Sequence, residues 1–481
     1  MLKFARHRHL VSLCLCATAP LIWGTGWSAD WRLSRQLSVN GVYTDNLSLS
    51  EEDQGSDFYV ELTPGFVVSG KGGRAEFDLA YSLQYLNYLS SDNGDQANHR
   101  LQGNGRVELF RERLFVDAKT TARQELIDPL GPTSGDATNL SGNLQTSYTY
   151  EISPTYYERF GRRAELTARV SNNGVFYSDE GSDSIGYDGS IELRSGPAFG
   201  TTNWALLVSS EHVDYQDDEV PSDTYSDASF LLGNQLSRRW RLDGTLLYED
   251  NDYTSRDGTS GAGWELSTTW TPTPRTSLRV GIGHRYFGMT PVLDFSHRSK
   301  RSVWRASYVR DVSSARGDRI GSQVFAFEDA FGDPTVPEVT APFEVGDDTA
   351  APTTGTYVSN TFESSYTLQT RRSTLGASLG YVLREYEATA EDQSTMRARL
   401  FWSRQLSGLT RSNLTLGWSR SELDQTSVTD GSDERDEYTL DAGLSRRVGT
   451  NTRVALQYRL SSSDDVTENR VTLGLVTSWS D

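Results

Sequence analysis

What this sequence lacks narrows the field first. Only two cysteines occur, Cys14 and Cys16, and none follows them. Disulfides therefore hold nothing together in residues 30–481, even in an oxidising compartment. There is no run of about 20 apolar residues, which excludes a polytopic helical membrane protein. Proline is scarce, at 14 of 481 residues, so long stretches are free to pair as strands. Basic residues are the minority, 46 Lys+Arg against 65 Asp+Glu, for a net charge of −19. A nucleic-acid binder needs the opposite balance, so no nucleic-acid partner is expected.

Catalytic constellations are also missing. His99, His212, His284 and His297 are scattered along the chain. His212 and Asp214 share one strand face near a loop, where a barrel hydrolase can place a dyad; a solvated surface pair is the plainer reading. Gly281 to Gly288 (GIGHRYFG) lies in an alternating strand and lacks the helix a dinucleotide site requires. Asp430, Asp433, Glu434, Asp436 and Glu437 lack the spacing of a calcium loop and read as a solvated acidic loop. The expectation is a protein with no enzymatic activity, no cofactor and no metal.

The first 29 residues set the compartment. Lys3, Arg6 and Arg8 precede an apolar stretch from Leu10 to Trp23, then a small-residue end. This is the pattern of a secretory signal peptide, with cleavage near Ser28 or Ala29, and it is too short to span a membrane. Residues 1–29 are assigned as signal peptide and 30–481 as one domain.

What is abundant is alternation. Ala75, Phe77, Leu79, Tyr81, Leu83 and Tyr85 fall on one face of a period-2 segment, with Glu76, Asp78, Ser82 and Gln84 on the other. Phe58, Val60, Leu62, Pro64, Phe66 and Val68 oppose Tyr59, Glu61, Thr63 and Ser69 in the segment before it, and Gly70–Gly73 joins the two as a hairpin. Read as helices, these stretches would put carboxylates in the apolar stripe. The pattern repeats to Val471, Leu473, Leu475, Thr477 and Trp479, giving about 22 strands within a range of 18 to 24.

The connections fall into two alternating classes. One is short and basic, as at Arg111–Arg113, Phe160–Arg163, Ser237–Arg239 and Arg446–Asn451. The other is mostly longer and acidic, as at Asp45–Asp57, Gln216–Asp223, Asp250–Gly261 and Asp424–Glu437. A soluble sandwich has no reason to sort its loops so. A transmembrane antiparallel up-and-down β-barrel of the Gram-negative cell outer membrane does, with short periplasmic turns and long extracellular loops. Trp31, Trp204, Trp240, Trp270, Trp304, Trp402 and Trp479 lie near the short turns or a chain end, as an interfacial belt would. Outer-membrane lipid, lipopolysaccharide and the barrel assembly machinery are the partners this reading entails. No plug-sized segment precedes the first strand near Leu33, which argues against a plugged siderophore-type transporter.

One connection stands apart. Residues 313–356 contain Phe325, Phe327, Phe331 and Phe343, four prolines and several acids. A loop this long is either functional or disordered, and its aromatics favour function. A pore constriction carried by Phe325, Phe327 and Phe331 is one expectation; a cap outside the barrel is the other.

Several segments taken together resemble outer-membrane β-barrel proteins associated with PEP-CTERM/exosortase systems. They are Val42–Ser50 (VYTDNLSLS), Leu62–Phe66 (LTPGF), Gln124–Gly131 with its DPLG, Trp270–Leu278 (WTPTPRTSL), Gly283–Gly288 (GHRYFG) and Arg301–Tyr308 (RSVWRASY). The resemblance spans nearly all of residues 30–481. It implies a role in producing or exporting a cell-surface exopolysaccharide, with periplasmic export components as partners, and it brings no established catalytic residues to carry over. Three functions follow as alternatives: an exopolysaccharide export or assembly pore, a general diffusion porin, and a non-conducting structural or adhesion barrel.

Overall fold

The computed structural model describes residues 30–480, apart from 52–53, 90–94, 129, 134–136, 330, 332, 342–353, 390, 425–432 and 464–465. The signal-peptide expectation, with Ser28 and Ala29, lies outside the described residues, as do Phe343 and Asp430.

Alternating segments become 22 strands. They are β1 (Asp30–Thr44), β2 (Asp57–Lys71), β3 (Ala75–Tyr88), β4 (Gln96–Phe110), β5 (Leu114–Leu126), β6 (Leu144–Phe160), β7 (Ala164–Tyr177) and β8 (Ser184–Ser195). Next come β9 (Thr202–Tyr215), β10 (Asp223–Gln235), β11 (Trp240–Asp250), β12 (Ser260–Thr273), β13 (Thr276–Arg285), β14 (Gly288–Arg298) and β15 (Ser302–Ser314). A short helix, α1 (Ala315–Gly321), precedes β16 (Thr356–Gln369), β17 (Ser373–Tyr386), β18 (Asp392–Gln405), β19 (Thr410–Asp424), β20 (Asp433–Arg447), β21 (Thr452–Ser463) and β22 (Thr467–Ser480). Each strand pairs antiparallel with the next. β1 pairs with β22 from Ser34 opposite Ser480 to Thr44 opposite Arg470, and the sheet closes. Closure removes both edges, so every strand has a hydrogen-bonding partner on each side.

Which face turns outward follows from burial. In β2, Phe58, Val60 and Leu62 are exposed while Asp57, Tyr59, Glu61 and Thr63 are buried. The apolar face points out and the polar face in, the reverse of a soluble protein and the arrangement a bilayer demands. Among the described residues no helix is long and apolar enough to cross a membrane; the strands supply the apolar surface.

The two classes of connection sort to opposite ends. Those after even-numbered strands are two to six residues long. Those after odd-numbered strands include 127–143 and 315–355, with one two-residue turn at 286–287. At the short-turn end Trp31, Trp240, Trp270, Trp304 and Trp479 are exposed on the outer face. Trp240 and Trp270 stack at 5.7 Å across β11 and β12. Gly70 belongs to β2, paired with Trp31 of β1, rather than to the hairpin, and a Cβ there would lie 2.6 Å from the Trp31 ring. The structure adds a second belt at the long-loop end: Tyr43, Phe58, Tyr85, Tyr187, Tyr248, Trp264 and Tyr438 are exposed there. From Trp240 to Tyr248 a strand rises about 27 Å. A tilt of about 40° shortens this to roughly 20 Å, close to the height of an apolar membrane band.

Two expectations need correction. The long connection is 315–355, since β15 runs to Ser314 and β16 starts at Thr356. Glu434 and Asp436 are strand residues in β20 rather than loop acids, and both pair with Arg420 of β19, Asp436 at 3.4 Å. Gln84 does face the lumen, yet it is fully buried, donating to Glu61 at 3.1 Å and accepting from Asn98 at 2.9 Å.

Candidate functional site

A barrel of 22 strands encloses a lumen wide enough for a channel unless something fills it. Here the 315–341 segment fills part of it, as a strap against the inner wall. The strap starts as α1, capped by Ser314, whose Oγ accepts from the Gly317 N–H at 3.0 Å. Two arginines three residues apart leave this helix toward the wall of β5–β9. Arg316 donates from Nε to Ser184 Oγ at 3.0 Å and from Nη1 to Glu211 at 3.0 Å. Arg319 pairs with Glu125 at 3.1 Å, and both side chains are essentially inaccessible to water. Burial pulls the Arg316 guanidinium below its ordinary pKa, and Glu211 opposes the shift. On the other side of the helix, Asp318 accepts from Ser313 Oγ at 2.8 Å, stands 3.7 Å from Arg384 of β17, and accepts from the Tyr357 hydroxyl.

Beyond α1 the strap runs deeper. The Val324 and Phe325 N–H groups donate to Gln102 Oε1 at 2.8 and 2.6 Å. Phe325 is buried with Val67, Ala80 and Val339, and Val324 and Phe327 pack beside them. The Arg100 guanidinium lies 4.5 Å from the Phe325 ring centre and donates to the Val339 and Ala341 carbonyls at 3.1 Å. Gln36 of β1 donates to the Pro337 carbonyl at 3.1 Å. Glu338 pairs at 3.2 Å with Arg453, one residue into β21 from the short-turn end. The strap therefore spans most of the lumen's height. Between its two wall-bound arms a turn closes with Thr335 N–H to Phe327 carbonyl at 2.7 Å and leaves Glu328, Asp329 and Asp333 exposed.

Of the three constriction residues read from the sequence, Phe325 and Phe327 meet on the wall. Phe331 does not join them; it is half-buried in the turn, its N–H on Asp329. Sequence reasoning missed Arg316 and Arg319, which anchor the strap. The signal was there: they are the only basic residues in an otherwise acidic 313–356. Their wall partners Glu125 and Glu211 carry no comparable signal, because inward polar residues recur on every strand.

Other contacts tie segments together at the long-loop end. Tyr88 of β3 donates to the Thr138 carbonyl at 3.0 Å and Arg435 of β20 to the Leu130 carbonyl at 3.3 Å, tying these two residues of the β5–β6 connection to strands on either side of β1. Ser255 donates to Glu387 at 2.7 Å, and Tyr225 of β10 meets Thr356 of β16. Toward the short-turn end, a recess of about 470 Å³ remains on the wall of β3–β7. Its charges balance: Arg106, Lys119 and Arg169 face Glu76, Asp78 and Asp117. Arg106 stands 3.6 Å from Asp117 and 4.5 Å from the Phe115 ring centre.

His212 lies elsewhere. Its neighbours in β9, Glu211 and Val213, face the lumen, so the imidazole is on the outer surface near the rim. Both ring nitrogens are engaged, by Thr224 Oγ1 at 2.9 Å and Asp214 at 3.2 Å. Among the described residues no group of three His, Cys, Asp or Glu could hold a metal ion.

No protein-family description matches this chain, and no curated protein sequence does. Solved structures do. The siderophore receptor PirA from Acinetobacter baumannii matches with a TM-score of 0.52 at 9% identity, over 92% of this chain and 80% of that one. A mutant ferric enterobactin receptor, PfeA of Pseudomonas aeruginosa, in complex with enterobactin, matches with a TM-score of 0.51 at 11% identity, over 93% and 81%. At such identities the likeness is one of architecture. This chain has the fold of an outer-membrane β-barrel, closed by 22 antiparallel strands.

Proposed function

We propose that this protein is an outer-membrane transport barrel whose lumen is narrowed by the 315–341 strap, and that it serves the production or export of a cell-surface exopolysaccharide. One observation carries the transport reading: the strap lies within the lumen, tied to the wall by Arg316, Arg319 and Phe325. A structural or adhesion barrel has no use for a deep, ion-paired strap inside its lumen. The exopolysaccharide reading draws on the resemblance in the sequence. The recess supports it, since its balanced charges and hydroxyls suit a neutral, hydroxyl-rich solute.

The test is conductance in planar bilayers. Deleting Gln323–Ala341 should raise single-channel conductance while the barrel still assembles. Unchanged conductance in an assembled deletion would mean the strap does not narrow the pore. A strain lacking the protein should lose surface polysaccharide while uptake of small solutes is unaffected; the opposite result favours a diffusion porin.

A further inference from the structure

The contacts of Arg316 differ in kind from those of Arg319. Arg319 takes part of its satisfaction from its own helix, donating to the Ala315 carbonyl at 2.9 Å. The contacts of the Arg316 guanidinium are with the wall. Beyond Ser184 and Glu211, its Nη2 donates to the Asn173 carbonyl at 3.3 Å and to Asn173 Oδ1. Three adjacent strands, β7, β8 and β9, thus supply a carboxylate, a hydroxyl, an amide oxygen and a backbone carbonyl in the fork a guanidinium requires. Asn173 is itself oriented by donating to Asp188 at 3.0 Å. Gly186 completes the pocket: a Cβ there would lie 2.5 Å from Arg316 Nη2. Arg316 is 2% exposed while Glu211 is 38% exposed, so lumen water reaches one side of the pocket.

A pocket built wholly from rigid wall does not depend on the strap for its shape. We infer that Asn173, Ser184, Gly186 and Glu211 form a binding site for guanidinium-bearing cations, that Arg316 is its tethered occupant, and that a soluble guanidinium competes with Arg316 and loosens the strap. The inference rests on the strap lying in the lumen. Such a ligand releases the strap only in so far as it binds the vacated pocket. Its concentration must approach the effective concentration of the tethered arginine, which is of order millimolar.

The probe is agmatine, a small solute with a guanidinium. Since no cysteine follows Cys16, Ala315→Cys places the one thiol of residues 30–481 beside Arg316 in α1, where Ala315 is 1% exposed. Labelling by a charged maleimide then reports strap release without reference to conductance. In the folded barrel in detergent micelles, labelling should be slow. Millimolar agmatine should speed it by about twofold to tenfold, and sodium chloride of equal ionic strength should not. Adding Arg316→Ala should make labelling fast and insensitive to agmatine, while calorimetry detects agmatine binding to that variant more tightly than to wild type. Agmatine acting no differently from sodium, or acting equally on Arg316→Ala, would overturn the cation site while leaving the strap in place. Fast labelling of Ala315→Cys with no cation added would overturn the strap itself, and the inference with it.

Discussion

At the scale of single residues, position on one or the other face of a strand decides the cost of a charge. Leu246 is 65% exposed in the middle of β11, on the outer face, and Thr245 beside it faces the lumen. Leu246→Arg is expected to destabilise the barrel by about 2–4 kcal/mol, the cost of a cation near the bilayer centre. Thr245→Arg, which meets lumen water, should cost far less; denaturant titration in lipid vesicles measures both, and equal costs would mean the two faces are exchanged. Burial reverses the logic inside. Glu125 and Arg319 are 0% and 1% exposed, so Arg319→Ala strands a carboxylate out of reach of water. Breaking such a pair costs about 3–5 kcal/mol. The strap should bear that cost before the closed sheet does, so proteolysis within 322–341 should quicken while the barrel resists. An unchanged cleavage rate would show that the pair does not anchor the strap.

At the scale of elements, the strap shows how far a sequence can be read. Its length and aromatics mark it as more than a linker, and two of its phenylalanines do pack on the wall. Its path could not be read, because α1 is seven residues long and a helix so short is stable only through what it packs against. The exposed turn of the strap carries Glu328, Asp329 and Asp333. Fixed carboxylates in a narrow, low-dielectric passage concentrate cations. Replacing all three with their amides should shift reversal potentials in a salt gradient toward no preference, with little change in conductance. A reversal potential that stays at its wild-type value would place these acids off the conduction path.

At the scale of the whole molecule, closure is the governing fact. Twenty-two strands joined from β1 to β22 unfold only if the ring opens, which detergent alone does slowly. The protein should therefore fractionate with the outer membrane and run at two positions on a gel, depending on whether it was heated. Recovery as a soluble periplasmic protein would contradict the outward apolar face. Loops sorted by length and charge give the ring its polarity, with arginines gathered at the short turns and acids at the other rim.

The strand count, the direction of each face, the sorting of the turns and the tryptophan belt were all legible in the sequence. Each is a local property: alternation has period 2, so one strand's residues suffice to show which side is apolar. Residues such as Phe77 and Gln84 declare their faces without knowledge of any neighbour. What only the tertiary structure decided is non-local. That Glu211 meets Arg316, 105 residues away, and that Gln102 receives the N–H groups of Val324 and Phe325, depends on a loop entering the lumen. Nor does the sequence separate Gln84, sealed beneath its neighbours, from an inward residue that meets open water. Most of the inner wall is polar, with an apolar patch at Val67 and Ala80, so many contacts there are chemically acceptable, and only the closed ring selects among them.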